Sequence, residues 1–209
     1  MSNSPQELVV FLFSVFVISL SGALMPGPVF ALALAKGQRN KFSGLFLSLG
    51  HGLIEIPLMV LLYAGMSRIF GLNIVQKIIS ISGGVMLIVM GINMFINRSQ
   101  DYRLLKDSPY GSMFAGLLST AANPYFLIWW STIGAALVLN TRRFGIKGFI
   151  LFAFTHWCCD AICYLTVSWA AFKSRRLWSL KVQSGIIGTC SVLLLFFGFW
   201  FILGAIRKF

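Results

Sequence analysis

Six stretches of membrane-crossing length, each almost wholly apolar, take up most of this 209-residue chain, at about 8–34, 44–66, 74–97, 112–139, 147–172 and 184–206. A helix needs about 20 mostly apolar residues to cross the roughly 30 Å hydrocarbon layer of a bilayer. The pattern therefore predicts an all-α integral membrane protein with six transmembrane helices. Composition agrees: 11% of the residues are charged, against about 25% in a soluble domain, and mean hydropathy is +0.86. The net charge of +12 does not mark a nucleic-acid binder, because Lys and Arg fall in the short loops and at the C-terminus, with no basic helix or patch. There they act as topology signals and meet lipid headgroups. Lys173, Arg175, Arg176 and Lys181 are such a group, with Trp169 and Trp178 as interface anchors.

The first apolar run is expected to stay as a transmembrane helix. The first ten residues hold Glu7 and no Lys or Arg, and the run is too long for the core of a signal peptide. Cys158, Cys159, Cys163 and Cys190 all lie in apolar stretches, with no CxxC pair. They read as buried thiols acting as small hydrophobes.

The six stretches form two matching sets of three. Pro26 of the first aligns with Pro124 of the fourth, 98 residues on; His51 and Glu55 of the second align with His156 and Asp160 of the fifth, 105 on; Gly84-Val-Met-Leu-Ile-Val-Met-Gly91 of the third aligns with Ser191-Val-Leu-Leu-Leu-Phe-Phe-Gly198 of the sixth, 107 on. Three spans is an odd number, so the second set enters the membrane from the opposite side. The prediction is a 3+3 inverted-topology repeat, with residues 1–100 as the first half, 101–109 as a charged linker and 110–209 as the second half. Many secondary transporters share this plan. Loops after spans one, three and five carry ten Lys and Arg against seven elsewhere, which places both termini outside by the positive-inside rule.

Only the second and fifth spans carry charge in their middle. His51/Glu55 and His156/Asp160 are each four residues apart, on one helix face. An ionisable group in hydrocarbon costs roughly 2.5–3.5 kcal/mol on insertion scales and usually marks an ion or substrate path. An imidazole beside a carboxylate is a coupled pair able to take up and release a proton. Such a pair can equally be a buried hydrogen bond that ties helices together; its recurrence in both halves favours function. The same four residues, with Cys163 on the face of His156, could instead ligate one Zn²⁺- or Mn²⁺-like ion if spans two and five meet. That reading ranks second.

Helix breaks supply the other candidate site. In Gly22-Ala23-Leu24-Met25-Pro26-Gly27-Pro28 two prolines flank a glycine. Each proline removes a donor and clashes with the carbonyl four residues back. The backbone groups freed at that depth must face protein, water or substrate, and the next half-helix points its amides into the gap, where a carboxylate fits. Asn123-Pro124 is the partner feature, with Pro124 expected to free the carbonyl of Thr120 and Tyr125 adding a hydroxyl. Helices 1 and 4 are thus expected to be broken. Pro57 is a possible loosening point beside Glu55. Trp129 and Trp130 line a path or pack, and Gly83, Gly84, Gly91, Gly185, Gly188 and Gly198 allow close helix contact, internal or in a homodimer.

Pro26-Gly27-Pro28, the run Gly37…Gly44…Gly50-His51-Gly52 and Asn123-Pro124 together resemble the LysE/RhtB family of amino-acid exporters, over essentially the whole chain. The resemblance implies export of amino acids or related small solutes from a prokaryotic cell, driven by proton entry. It also implies that Pro26, Gly27, Pro28, Asn123 and Pro124 belong to the translocation core. Many members carry Lys after Asn-Pro, where this chain has Tyr125.

The expectation is a multi-pass plasma-membrane exporter of amino acids or similar solutes, coupled to protons. It binds solute at Pro26, Gly27, Pro28, Asn123, Pro124 and Tyr125 and protons at His51, Glu55, His156 and Asp160. Its partners are lipid, solute and protons, with a homodimer possible and no nucleic acid. No cofactor is expected, and without a paired nucleophile neither is enzyme activity. The alternatives are a divalent-metal exporter using the two His/acid pairs and a non-transporting membrane assembly protein.

Overall fold

The structure, a computed structural model, describes residues 4–24, 27–66, 72–100 and 108–208. Among these residues every regular element is helical: α1 (Pro5–Ala23), α2 (Pro28–Gly37), α3 (Ser43–Tyr63), α4 (Asn73–Ile96), α5 (Pro109–Ala121), α6 (Pro124–Trp129), a π-helical turn (Trp130–Gly134), α7 (Ala135–Thr141), α8 (Gly145–Ser174) and α9 (Leu180–Lys208). Short 3₁₀ turns follow α7 and α8. Of the charged linker, Asp101, Arg103, Lys106 and Asp107 lie outside the described residues.

Four helices start in one way. Pro5, Pro28, Pro109 and Pro124 open α1, α2, α5 and α6. Proline suits this position because its φ is preset and its missing N–H would have no partner there. Ser4 caps α1 through Glu7 N–H at 3.3 Å, and Ser108 caps α5 through Gly111 N–H at 3.0 Å. Asn123 caps α6 through Tyr125 N–H at 3.1 Å. The residue before α2 is Gly27, so its first turn has no side-chain cap. α3 runs through Pro57 without interruption.

Among the described residues four helical stretches are long and apolar enough to cross a membrane: Ser43–Tyr63, Asn73–Ile96, Tyr125–Leu177 and Leu180–Arg207; Pro5–Leu20 and Pro28–Gly37 are shorter apolar helices. The Tyr125–Leu177 stretch has 53 residues, which as one straight helix would measure about 80 Å. It turns instead at Gly145, whose φ of +66° lies in the left-handed region that favours glycine. Large apolar side chains stand on the outside, among them Phe13 (67% exposed), Phe154 (64%) and Trp200 (62%), a surface suited to lipid.

Inside, α3 packs between α5 and α8, α1 and α2 lie along α8, and α4 pairs with α9. Glycines allow the tightest crossings. A Cβ on Gly50 of α3 would strike the backbone of Met113 and Leu117 in α5. On the other pair, a Cβ on Gly84 would come 2.7 Å from the carbonyl oxygen of Gly198, and one on Gly198 would come 2.7 Å from that of Gly84. The largest apolar cluster joins α1, α3, α6–α7 and α8 around Val15, Met59, Trp130 and Phe152. Two arginines tie helix ends together. Arg142 donates through Nη2 to the carbonyl of Tyr63 at 2.7 Å, and Arg175 through Nη1 to that of Gln38 at 2.9 Å. Tyr63 is the last residue of α3 and Gln38 lies ahead of its first, so the two ties sit at opposite ends of that helix.

All four cysteines are free thiols, and Cys159, Cys163 and Cys190 are buried as expected. Cys158 corrects the expectation: it faces outward from α8 and is half-buried.

Candidate functional site

One turn of α3 separates His51 from Glu55, and one turn of α8 separates His156 from Asp160. The packing of α3 on α8 brings all four together. Nε2 of His51 lies 3.0 Å from Oε1 of Glu55, and Nε2 of His156 lies 3.2 Å from the same oxygen. Oδ2 of Asp160 lies 3.5 Å from His51 Nε2 and 3.7 Å from His156 Nε2. The four atoms close a ring in which each imidazole faces both acids. Glu55 is 1% exposed and Asp160 4%. Oε2 of Glu55 and Oδ2 of Asp160 accept no hydrogen bond among the described residues.

Hydroxyls hold the far side of each imidazole. Nδ1 of His51 lies 2.8 Å from Oγ1 of Thr120 in α5. The Thr120 hydroxyl donates its one hydrogen to the carbonyl of Gly116 at 2.7 Å, so its oxygen accepts from Nδ1–H of His51. This fixes the tautomer and leaves Nε2 to exchange a proton with the acids. Nδ1 of His156 meets Oγ of Ser19 in α1 at 2.6 Å. Aromatic rings enclose both imidazoles. Phe126 and Tyr164 stand edge-on to His51, and Trp129, Trp130 and Phe152 surround His156 at centroid distances of 5.0–6.0 Å. The π-helical turn begins at Trp130, and turns of this kind often occur at functional sites.

The ring opens onto a cavity of about 90 Å³, enough for several waters or the polar head of a small solute. Of the residues singled out in the sequence, Gly27, Pro28, His51, Glu55, Asn123, Tyr125, His156 and Asp160 all line it. Pro26 lies outside the described residues, and Pro124 is placed as the first residue of α6. Two details differ from expectation. The carbonyl of Thr120 is not freed, because the N–H of Asn123 donates to it at 3.1 Å in a tightened last turn. The thiol of Cys163 points away from the ring and donates to the carbonyl of Ala23 at 3.5 Å, at the end of α1.

By donor type, His51, Glu55 and Asp160 each offer one atom within 4.8 Å of the others, the minimum for a divalent cation. Ser19 was not singled out in the sequence, and Thr120 was named there for its carbonyl and not for its hydroxyl. Their signal was a hydroxyl in an otherwise apolar run just ahead of each break.

A polar ring and chamber inside apolar walls, bounded by helices that stop and restart, define a membrane translocator. The family model for the LysE type translocator matches residues 20–205, and the chain belongs to that family. It is similar to a Bacillus subtilis (strain 168) protein named "Putative amino acid efflux protein YcgF", with 27% identity over 194 residues covering 90% of this chain and 93% of the relative. No solved structure matches the chain. The family is one of transporters rather than enzymes. The chain is accordingly a multi-pass membrane transport protein with a lipid environment and a small solute as substrate.

Proposed function

We propose that the chain exports amino acids or closely related small solutes across a prokaryotic plasma membrane in exchange for protons, as an inverted repeat of residues 1–100 and 110–209 joined by the linker 101–109. On this reading α1–α2 and α5–α7 each make one broken span, and α3, α4, α8 and α9 make the other four. Both breaks are proposed to bind solute at Pro26–Pro28 and Asn123–Tyr125, while His51, Glu55, His156 and Asp160 carry protons. The relative's name supports the solute class.

Reciprocal contacts support the repeat. A two-fold relation that exchanges His51 with His156 and Glu55 with Asp160 turns the contact Glu55–His156 (3.2 Å) into Asp160–His51 (3.5 Å). It exchanges α1 with α5 and α3 with α8, and so turns the α3–α5 packing into the α8–α1 packing. If Gly84 exchanges with Ser191 and Gly91 with Gly198, the approach of Gly84 to Gly198 becomes that of Ser191 to Gly91, where a Cβ on Gly91 would lie 3.0 Å from the Ser191 carbonyl. Self-complementary contact of this form is what a two-fold axis produces.

The observation that carries the functional reading is the closed ring of two imidazoles and two acids, one pair from each half, on the wall of a cavity that also touches both restarting helices. Proton coupling needs a titratable group at the crossing point, and alternating access needs that point at the interface of the halves. The divalent-ion reading has the spacing of His51, Glu55 and Asp160 in its favour. The cavity's aromatic and uncapped-backbone rim suits an organic solute better. The test is efflux of labelled amino acids from proteoliposomes. Acidification on the side towards which solute leaves should speed efflux by at least about tenfold, equivalent to 1.4 kcal/mol of barrier, and a protonophore should abolish the gain. Efflux indifferent to the gradient would reject proton coupling, and absence of efflux for every amino acid would reject the solute class.

A further inference from the structure

We propose that the solute is held as a zwitterion with a fixed direction: its ammonium sits at the carboxylates of Glu55 and Asp160, and its carboxylate at the start of α2 and the side-chain amide of Asn123. The inference rests on the amino-acid reading above and specifies how that site reads its substrate.

Glu55 and Asp160 both line the cavity and are each at least nine-tenths buried, and Oε2 of Glu55 and Oδ2 of Asp160 accept no hydrogen bond among the described residues, although Oδ2 faces both imidazoles at 3.5 and 3.7 Å. A buried acceptor of this kind is costly unless something donates to it. An ammonium supplies three donors and a positive charge. Trp129 and Trp130 border the same cavity, and aromatic faces favour an organic cation.

Another part of the lining comes from α2, which begins at Gly27–Pro28 without a side-chain cap, and Pro28 has no N–H. The amides of Val29 and Phe30 open the helix, and both residues line the cavity. This ten-residue helix turns its positive end there. Asn123 has committed Oδ1 to the N–H of Tyr125, while its Nδ2 donates to no described residue. The α2 amides and Asn123 Nδ2 thus offer donors to a carboxylate, and Glu55 and Asp160 offer acceptors to an ammonium, so the lining provides for an amino acid's two charges.

A consequence concerns exchange. The ring holds two acids and two imidazoles, and one proton on each His–acid link leaves it neutral. The other titratable groups of α8 near it are Tyr164 and the thiols of Cys159 and Cys163, which turn to the carbonyls of Phe16 and Ala23 in α1; α1, α2, α5 and α6 contribute hydroxyl, amide, aromatic and backbone groups. An arriving ammonium adds a charge that a buried site tolerates poorly, so a proton leaves as it enters. Solute and proton thus occupy the ring in turn.

The test uses the full-length protein in proteoliposomes and in detergent. Labelled L-amino acids are screened for efflux, and the best is competed against its N-acetyl derivative and its decarboxylated amine. Both analogues should compete at least about tenfold more weakly than the parent, a loss of about 1.4 kcal/mol. Asn123→Ala should weaken the amino acid but leave the amine unchanged. Adding the amino acid to weakly buffered protein should release protons, and Asp160→Asn, checked for monodispersity, should weaken binding and suppress the release. An N-acetyl derivative that competes as well as the parent, in a protein that exports amino acids, overturns the orientation while the exporter reading stands. If no amino acid is exported, both fall.

Discussion

His156 in the second half of the chain lies 3.2 Å from Glu55 in the first, closer than the 3.7 Å to Asp160 one turn along its own helix. The acid nearer to His156 therefore sits on the other helix. An acid shared by imidazoles from two helices senses any movement of one against the other.

Glu55→Gln keeps the shape of the side chain and removes its charge. Gradient-driven efflux should fall by at least about tenfold, or 1.4 kcal/mol of barrier, while the protein stays monodisperse. Efflux assays with and without a pH gradient check this; a variant that still answers to the gradient would remove Glu55 from the proton route.

Thr120→Val leaves Nδ1–H of His51 without an acceptor in a buried place. Loss of that bond should cost about 1–3 kcal/mol, read by thermal or denaturant unfolding in detergent. Thr120→Ser, which restores the oxygen, should recover most of it. Equal stability of the valine variant and the wild type would show that the contact contributes nothing.

Gly50→Ala and Gly145→Ala probe different constraints. A Cβ on Gly50 meets α5 backbone, whereas one on Gly145 meets nothing within 4 Å but sits at φ +66°. The first should force α3 from α5 and lose about 3 kcal/mol, the upper end of overpacking costs. The second should lose about 1–2 kcal/mol from left-handed strain alone. The ranking, measured by unfolding, is the prediction.

The proposed six-span plan places the loops after the first, third and fifth spans on one face. In a background without native cysteines, Cys at Asn40, Gln100 or Ser179 should react with an impermeant maleimide from one side only. Cys at Asn140 should react from the other. Asn40 and Asn140 labelled from the same side would refute the six-span plan.

Much of this arrangement could be read from the chain because it is periodic. Apolar runs of membrane length give helices, and a spacing of four put His51 with Glu55 and His156 with Asp160. The repeat of that pair predicted that spans two and five carry the polar site between them. Other features depended on contact. Thr120 and Ser19 look like ordinary hydroxyls until packing sets them against imidazoles 69 and 137 positions away. Asn123 looked like a free ligand group, yet half of its amide is used to start its own helix. Cys163 shares a helix face with His156, and only the end of α1 explains where its thiol turns. Ser-Pro at 4–5 and 108–109, which caps and opens α1 and α5, was not read from the sequence as a pair.

The two arginine ties, Arg142 to Tyr63 and Arg175 to Gln38, fasten opposite ends of the bundle with one bond of the same make. At the Gln38 end Ser168 of α8 adds a bond to the Lys41 carbonyl at 2.9 Å, so on the proposed exchange the two ends are fastened unequally and the Arg142 end would loosen first. Neither demands a buried charge to break, so each can give way to water without disturbing the middle.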